Sequence, residues 1–410
     1  MPSAKILTVN GGSSSIKFAL YSRETSRSAP EGVPLQKILY GAIGGIGSEN
    51  SKFHVNHIGS SRTEDSFSRP ISAPRFATAV DIFLKWLSEL HESQGLYAIG
   101  HRVVHGGPVF SAPQILSKAV ISELRALSSF DPEHLPGELL LIEALHEKFS
   151  DLQQVACFDT DFHRDLPQVA RLLAIPRRYE KKGLRRYGFH GLSYAFLLEE
   201  LARLDQHTAR TGKVVLAHLG NGASLAALDS GKSVDTSMGF TPASGVPMST
   251  RSGDLDPGVM WYLARTEGLD AKGFNEMINF KSGLLGISEI SSDMRVLLET
   301  EAREPQAAEA ITFFSYQIRK NLGAFAAALG GLDTVVFSGG IGENAPTVRQ
   351  RICENLQFLG IELDLNKNLQ NAAVISTTGS RVVVRVIRTD EESIIATIVS
   401  RTLELLKKEN

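Results

Sequence analysis

The stretch Val9-Asn10-Gly11-Gly12-Ser13-Ser14-Ser15-Ile16-Lys17-Phe18-Ala19-Leu20 decides how this chain is to be read. Residues 5–10 predict a buried strand, Gly11-Gly12 a turn, and residues 13–20 the strand that returns. A glycine turn flanked by Ser and Asn lets backbone N–H groups approach an anion, with hydroxyls and amides as further donors. Lys17 adds a positive charge on the returning strand, and Asn10 is placed to orient a hydrated Mg²⁺. The pattern returns near the middle of the chain: a strand at 213–218, the turn Gly220-Asn221-Gly222, and a return at 223–228. Two such hairpins predict two related halves. A third glycine turn at 338–342 follows a buried strand at 334–337.

Outward from these turns, residues 22–75 are rich in Ser, Gly, Arg and Pro and predict short strands and loops. Residues 76–89 have helical period, with Phe76, Val80, Phe83, Leu84 and Leu87 on one face. A strand at 97–104 is closed by Gly106-Gly107-Pro108. Helices at 117–127 and 137–149 flank Pro132-Glu133-His134-Leu135-Pro136, and a strand at 154–158 delivers Asp159. A long helix at 306–329 carries Ile311, Phe314, Ile318, Leu322, Phe325 and Leu329 on its apolar face and stops at Gly330-Gly331. A helix near 345–356, a strand at 382–387 and a helix at 391–407 follow. Segregated hairpins and long helices predict a two-domain α/β protein with a cleft.

Bulk properties remove several classes. The 410 residues suffice for two or three domains. Hydrophobic residues make up 42% and charged ones 21%, which is ordinary globular usage. Lys and Arg number 43 against 45 Asp and Glu, for a net charge of −2, so no polybasic surface calls for nucleic acid or anionic membrane. No apolar run reaches the eighteen or so residues of a membrane span, and the N-terminus enters a strand directly, so the expected location is the cytoplasm. Cys157 and Cys353 are too few for a zinc cluster or disulfide framework, which leaves any metal to oxygen or histidine.

Two motifs invite other readings. Residues 226–233, Ala-Ala-Leu-Asp-Ser-Gly-Lys-Ser, are one glycine short of a Walker loop but lie between strand-like runs, as a hairpin tip does. Gly340-Ile341-Gly342-Glu343-Asn344-Ala345 fits the dinucleotide pattern, with Glu362 or Asp364 as the acidic partner, and supports a nucleotide near the turn without naming it. Polar groups at strand ends complete the candidates: His101-Arg102, Asp159, Phe189-His190-Gly191 and the run from Ser249 through Arg251 to Asp254. Phosphoryl transfer needs cations on the equatorial oxygens, a metal, and a positioned attacking oxygen. Two Arg, one Asp, one His and Gly/Asn turns match that list.

Taken in order, "VNGGSSSIKF" (9–18), "GHRVVHGG" (100–107), "FDTDFH" (158–163), "RRYGFHG" (185–191), "HLGNGAS" (218–224), "DTSMGFTP" (235–242), "TRSGDLDPG" (250–258), "KSGLLGIS" (281–288), "SSDMR" (291–295), "FSGGIGENAP" (337–346) and "TDEE" (389–392) resemble the acetate kinase family. These are short-chain carboxylate kinases of the actin–hexokinase-like ATPase superfamily. The resemblance implies two related actin/hexokinase-like (ribonuclease H-like) domains with an active-site cleft between them. Residues 1–159 plus 391–410 would form one domain and 160–390 the other, with the last helix returning to the first. It implies reversible in-line phosphoryl transfer from ATP to acetate, giving acetyl phosphate and ADP, by a cytoplasmic homodimer. Open alternatives are another short carboxylic acid, pyrophosphate as donor, a dehydrogenase on residues 340–345, or a non-enzymatic nucleotide-gated module.

Carried over residue by residue, the resemblance makes Asn10 and Glu391 the ligands of Mg²⁺ (or Mn²⁺). Arg102 and Arg251 would hold the carboxylate and the phosphoryl group in flight. Asp159 becomes the essential acid and His190 the group that stabilises the transition state. Lys17 and His218, Leu219, Gly220, Asn221 and Gly222 would bind phosphates. Asp293, Met294 and Arg295, with Gly339, Gly340, Ile341, Gly342, Glu343 and Asn344, would bind adenosine. The chain departs from the family at Glu133, Leu135, Asp161, Leu192 and Tyr194, and at Ser244. Glu133 stands where the family has Leu in a segment that lines the methyl pocket: pointing inward it would narrow the pocket toward small or polar acids, and turned to water it would leave that lining to Leu135.

Overall fold

The computed structural model describes residues 4–12, 14–23, 35–59, 66–90 and 95–409, with side chains through residue 404. Ser13 of the first glycine turn, and residues 24–34 and 60–65 of the loop-rich stretch, lie outside the described residues. The chain divides into two compact units, residues 1–161 with 390–410, and residues 162–389.

In the first unit β1 (Ala4–Gly11) and β2 (Ser15–Arg23) form the opening hairpin, with Asn10 directly across from Lys17. β3 (Gln36–Gly44), β4 (Lys52–His57) and β5 (Phe67–Pro70) extend the sheet antiparallel beyond β2. On its other edge β1 pairs parallel with β6 (Leu96–Val103), which pairs parallel with β8 (Gln153–Phe158). The short β7 (Gln114–Ile115) closes the order β5-β4-β3-β2-β1-β6-β8-β7. Helix Phe76–Glu89 buries Ala79, Val80, Phe83 and Leu87, with Phe76 and Leu84 packed beside them, as its period predicts. Phe83 and Trp86 lie tilted against Phe18, with ring centroids 5.0 and 4.9 Å away. The buried Val80, Phe83 and Leu87 each contribute roughly 1.5–3 kcal/mol. Helix Glu391–Glu409 belongs to this unit, and Ile395 and Val399 press against Gly100 of β6 so closely that a Cβ there would lie 2.6 Å from each.

The second unit repeats the core of that topology. β9 (Lys213–Leu219), β10 (Ala223–Asp229) and β11 (Lys232–Thr236) run antiparallel, and β9 pairs on its other edge with β12 (Thr334–Ser338). β12 in turn pairs parallel with β13 (Val383–Val386), giving the order β11-β10-β9-β12-β13. Three antiparallel strands followed by two parallel ones is thus present twice. Helix Pro305–Leu329 buries all six apolar residues read from its period.

The stretch at 226–233 is a hairpin tip: Ser230 and Gly231 take φ of 51° and 76°, the signature of a tight two-residue turn. One reading needs correcting. Residues read as a turn at 339–342 wind into helix Gly339–Asn344, and the next helix is Pro346–Cys353, shorter than expected. Pro346 has no N–H to continue the first helix, so the chain breaks at Ala345 and restarts.

Candidate active site

In the first unit the chemistry gathers on Arg102 at the end of β6. Its Nε and Nη2 donate to Asp159 Oδ2 at 3.0 and 2.6 Å, and Nη1 donates to Asn10 Oδ1 at 3.4 Å and to Glu138 Oε1 at 3.3 Å. Parallel pairing places Arg102 beside Cys157 at the end of β8, so Asp159 emerges next to it. Burial is severe: the Arg102 side chain is 14% exposed, those of Asp159 and Glu138 1% and 2%. One guanidinium faces two carboxylates. Asp159 holds the shorter contacts, and burial pushes Glu138 up to about 8, opposed by Arg102 and by the Val104 N–H that donates to its Oε2 at 2.9 Å. Asp159 above all, with Glu391 and with Glu138 where it is ionised, outweighs the desolvation of Arg102 and holds it charged. Asn10 Nδ2 donates to Glu391 Oε2 at 3.1 Å, bringing together both residues expected at the metal.

In the second unit the ends of the parallel strands β9 and β12 bring the glycine turn Gly220–Gly222 beside Gly340. A Cβ on Gly220 would lie 3.7 Å from His218 Nε2 and 3.8 Å from the Gly340 amide nitrogen. A Cβ on Gly222 would lie 2.9 Å from His190 Nε2 and 3.6 Å from Arg251 Nη1. Two imidazoles, a guanidinium and backbone amides therefore converge on one bare backbone turn, the arrangement that holds a phosphoryl anion. The rings of His190 and His218 lie 4.4 Å apart. His190 sits at φ 60° just before helix Gly191–Leu204, a left-handed conformation that costs a non-glycine residue roughly 1–3 kcal/mol. Arg251 is carried by a loop tied to the turn, with the Ser249 N–H donating to Asn221 O at 3.2 Å.

The remaining candidates are placed as follows. Lys17 is exposed on β2 across from Asn10. Asp293 caps helix Met294–Thr300, where its carboxylate takes Arg295 Nη2 at 2.6 Å, and Met294 is buried. Gly339 rather than Gly340 needs to be glycine: its φ is 76°, and a Cβ there would stand 2.7 Å from Leu219 O. Gly340 has open space at that position. The Glu343 carboxylate accepts from the N–H groups of Gly339 at 3.0 Å and Thr389 at 3.1 Å, so it braces the helix start. Asn344 Nδ2 donates to Gly340 O, Ile341 is largely buried and Gly342 is buried. Asp364, the possible acid of a dinucleotide site, caps helix Leu365–Leu369 instead.

Sequence reading missed Glu138, whose signal was an acid placed directly before the apolar run 139–142. It also missed Arg349, which is fully buried and donates Nη1 to Gly342 O at 2.8 Å and Nη2 to Asn368 O at 2.8 Å. Burial lowers Arg349 to about 10, and it locks the helix start at 339–342 from behind. Glu133 is only half-buried.

A doubled actin/hexokinase-like sheet whose strand ends carry glycine turns, with arginine and histidine facing the second of them, defines a phosphotransferase of that fold class. Residues 5–397 match the Acetokinase family. The chain is 43% identical over 393 residues to the acetate kinase of Rhodopseudomonas palustris, covering 95% of this chain and 96% of that one. It is 42% identical over 402 residues to that of Methylocella silvestris, covering 98% of each. Among solved structures it superposes on a propionate kinase from Francisella tularensis with TM-score 0.87 at 34% identity, covering 96% and 98% of the two chains. It superposes on the Porphyromonas gingivalis acetate kinase with TM-score 0.83 at 35% identity, covering 98% and 100%. The chain belongs to the Acetokinase family.

Proposed function

We propose that this chain is an acetate kinase that reversibly transfers the γ-phosphoryl group of ATP to acetate, forming acetyl phosphate and ADP. The observation that carries the reading is the convergence of His190, His218 and Arg251 on the Gly220–Gly222 turn in a chain 43% identical to an acetate kinase. A carboxylate oxygen attacks the γ-phosphorus, the new P–O bond forms as the bond to the β,γ-bridging oxygen breaks, and ADP leaves with that electron pair. Acetate is already an anion at neutral pH, so no base is required. Asp159 therefore serves by holding Arg102 charged and in place. Arg102 steadies the carboxylate, Arg251 and the Nε2–H of His190 spread the equatorial charge, and the 218–222 and 339–344 segments hold the nucleotide.

Asn10 and Glu391 would hold the metal. Both offer hard oxygen donors, and among the described residues no group of three or more His, Cys, Asp or Glu could form a metal cage, so the pair suits Mg²⁺ (or Mn²⁺), which takes few protein ligands. When bound, the ion neutralises phosphate charge. Among the described residues no helix is long and apolar enough to cross a membrane, and dependence on ATP supports a cytoplasmic location. A homodimer is supported by helix Pro257–Thr266, which buries none of its residues and leaves Trp261 67% and Tyr262 64% exposed. Light scattering should give twice the chain mass, and Trp261→Glu should yield monomers.

The propionate kinase relative favours one second reading, a preference for propionate. Trapping acyl phosphate with hydroxylamine across acetate, propionate, butyrate and glycolate, with ATP and with pyrophosphate, tests both. Acetate with ATP should give the highest kcat/KM; no hydroxamate from any acid would end the kinase reading.

A further inference from the structure

Two consecutive residues at the start of helix Gly191–Leu204 reach back to the two histidines of the anion turn. Ser193 Oγ pairs with His218 Nδ1 at 2.8 Å and with Thr389 Oγ1 at 2.9 Å. The Tyr194 hydroxyl pairs with Ser224 Oγ, which pairs with His190 Nδ1 at 2.8 Å. Tyr194 and Ser224 are both completely buried. Phenol is the stronger donor of two hydroxyls, so Tyr194 O–H donates to Ser224, and the serine proton goes to Nδ1. That order makes Nδ1 an acceptor and places the imidazole proton on Nε2, the nitrogen that faces Gly222.

We propose that Tyr194 and Ser224 are positioning residues that lock His190 as its Nε2–H tautomer, so that it donates a hydrogen bond to the anion at the Gly220–Gly222 turn. The inference rests on the kinase reading, and it gives a use to the tyrosine at 194, where this chain departs from its family. Tyr194 touches no reacting atom; it acts through Ser224 on His190.

The test compares the wild type with Tyr194→Phe, Ser224→Ala and Ser224→Thr. Tautomers are read from long-range ¹H–¹⁵N correlations of the histidine rings, with His190 assigned by its loss in His190→Gln. The wild type should show His190 protonated on Nε2 alone. Tyr194→Phe and Ser224→Ala should show mixed tautomers, and Ser224→Thr, which keeps the hydroxyl, should restore the single form. In the trapping assay kcat should fall about 10- to 100-fold in the first two variants, while KM for ATP moves by less than about threefold. If Ser224→Ala fails to fold, Tyr194→Phe, which keeps the buried ring, carries the test. An unchanged tautomer, or a kcat within about twofold of wild type in Tyr194→Phe, overturns the positioning role. A wild type that makes no acyl phosphate, yet loses its single tautomer in Tyr194→Phe, overturns the kinase reading and leaves the lock standing.

Discussion

At the residue scale, the unusual feature is one guanidinium shared by two buried carboxylates. Arg102 satisfies Asp159 with two donors and Glu138 with one, so the proton preference falls on Glu138, raised from 4.5 to about 8 chiefly by burial. Between those values the folded chain holds more protons than the unfolded one, so stability falls as pH rises through the window, by at most about 1.4 kcal/mol per unit. Glu138→Gln keeps the shape without the titration. Melting temperatures from about pH 5 to 9 should show the variant gaining on the wild type as pH rises; a flat difference would mean that Glu138 stays ionised throughout. At the same scale, Asp159→Asn and Arg251→Ala should each lower turnover about 100- to 1,000-fold with little change in ADP affinity. Turnover near that of wild type in either variant would remove it from the transfer machinery.

At the element scale, the junction of β12 with helix Gly339–Asn344 separates two glycines that look equivalent in sequence. Gly339→Ala forces a Cβ against backbone atoms of Leu219 at positive φ, neither of which can yield as a flexible side-chain end would. It should destabilise the protein by roughly 1–3 kcal/mol. Gly340→Val meets open space, so its melting temperature should stay close to that of the wild type while ADP binding weakens in calorimetry. Unchanged ADP affinity in a folded Gly340→Val would place the nucleotide elsewhere. Many of the elements were readable because their signals are local, whereas helices Gly191–Leu204, Pro257–Thr266 and Ala271–Phe280 were not read from the sequence. The apolar face of the 306–329 helix and both glycine hairpins need only a few residues of context. The helix at 339–344 was not readable, because glycine pairs are ordinarily punctuation, and here Glu343 and Arg349 hold the turn wound from two sides.

At the scale of the whole molecule, each unit buries a histidine in its neutral form. His101 in the first unit, paired with Gln154, and His163 in the second, paired with Ser233, are both lowered from 6.5 to about 4 by burial. Below their unfolded value the unfolded chain takes up protons that the folded chain refuses, so this stability is complete above about pH 6.5 and is lost as pH falls toward 4. Glu138 acts in the opposite sense from 4.5 to about 8, so the two windows overlap, and with two histidines against one carboxyl stability should peak at about pH 6.5. His101→Gln with His163→Gln should flatten the acid side of the curve in urea titrations from about pH 4 to 7; an unaltered slope would show that these rings are not what senses acid.

The sequence by itself determined the main strands, the long 306–329 helix, the two glycine hairpins and the family, since periodicity, turn chemistry and ordered motifs are written over short spans. Only the tertiary structure decided which side chains share an environment. Glu138 meets Arg102 across 36 residues, Tyr194 meets Ser224 across 30, and Arg349 meets Asn368 across 19. Such partners depend on strand register and on how helices lie against the sheet, and no local pattern carries that information. The same holds for protonation: Glu138 reads as an ordinary surface acid in a helical run, until burial beside a guanidinium already claimed by Asp159 makes it the group that keeps its proton.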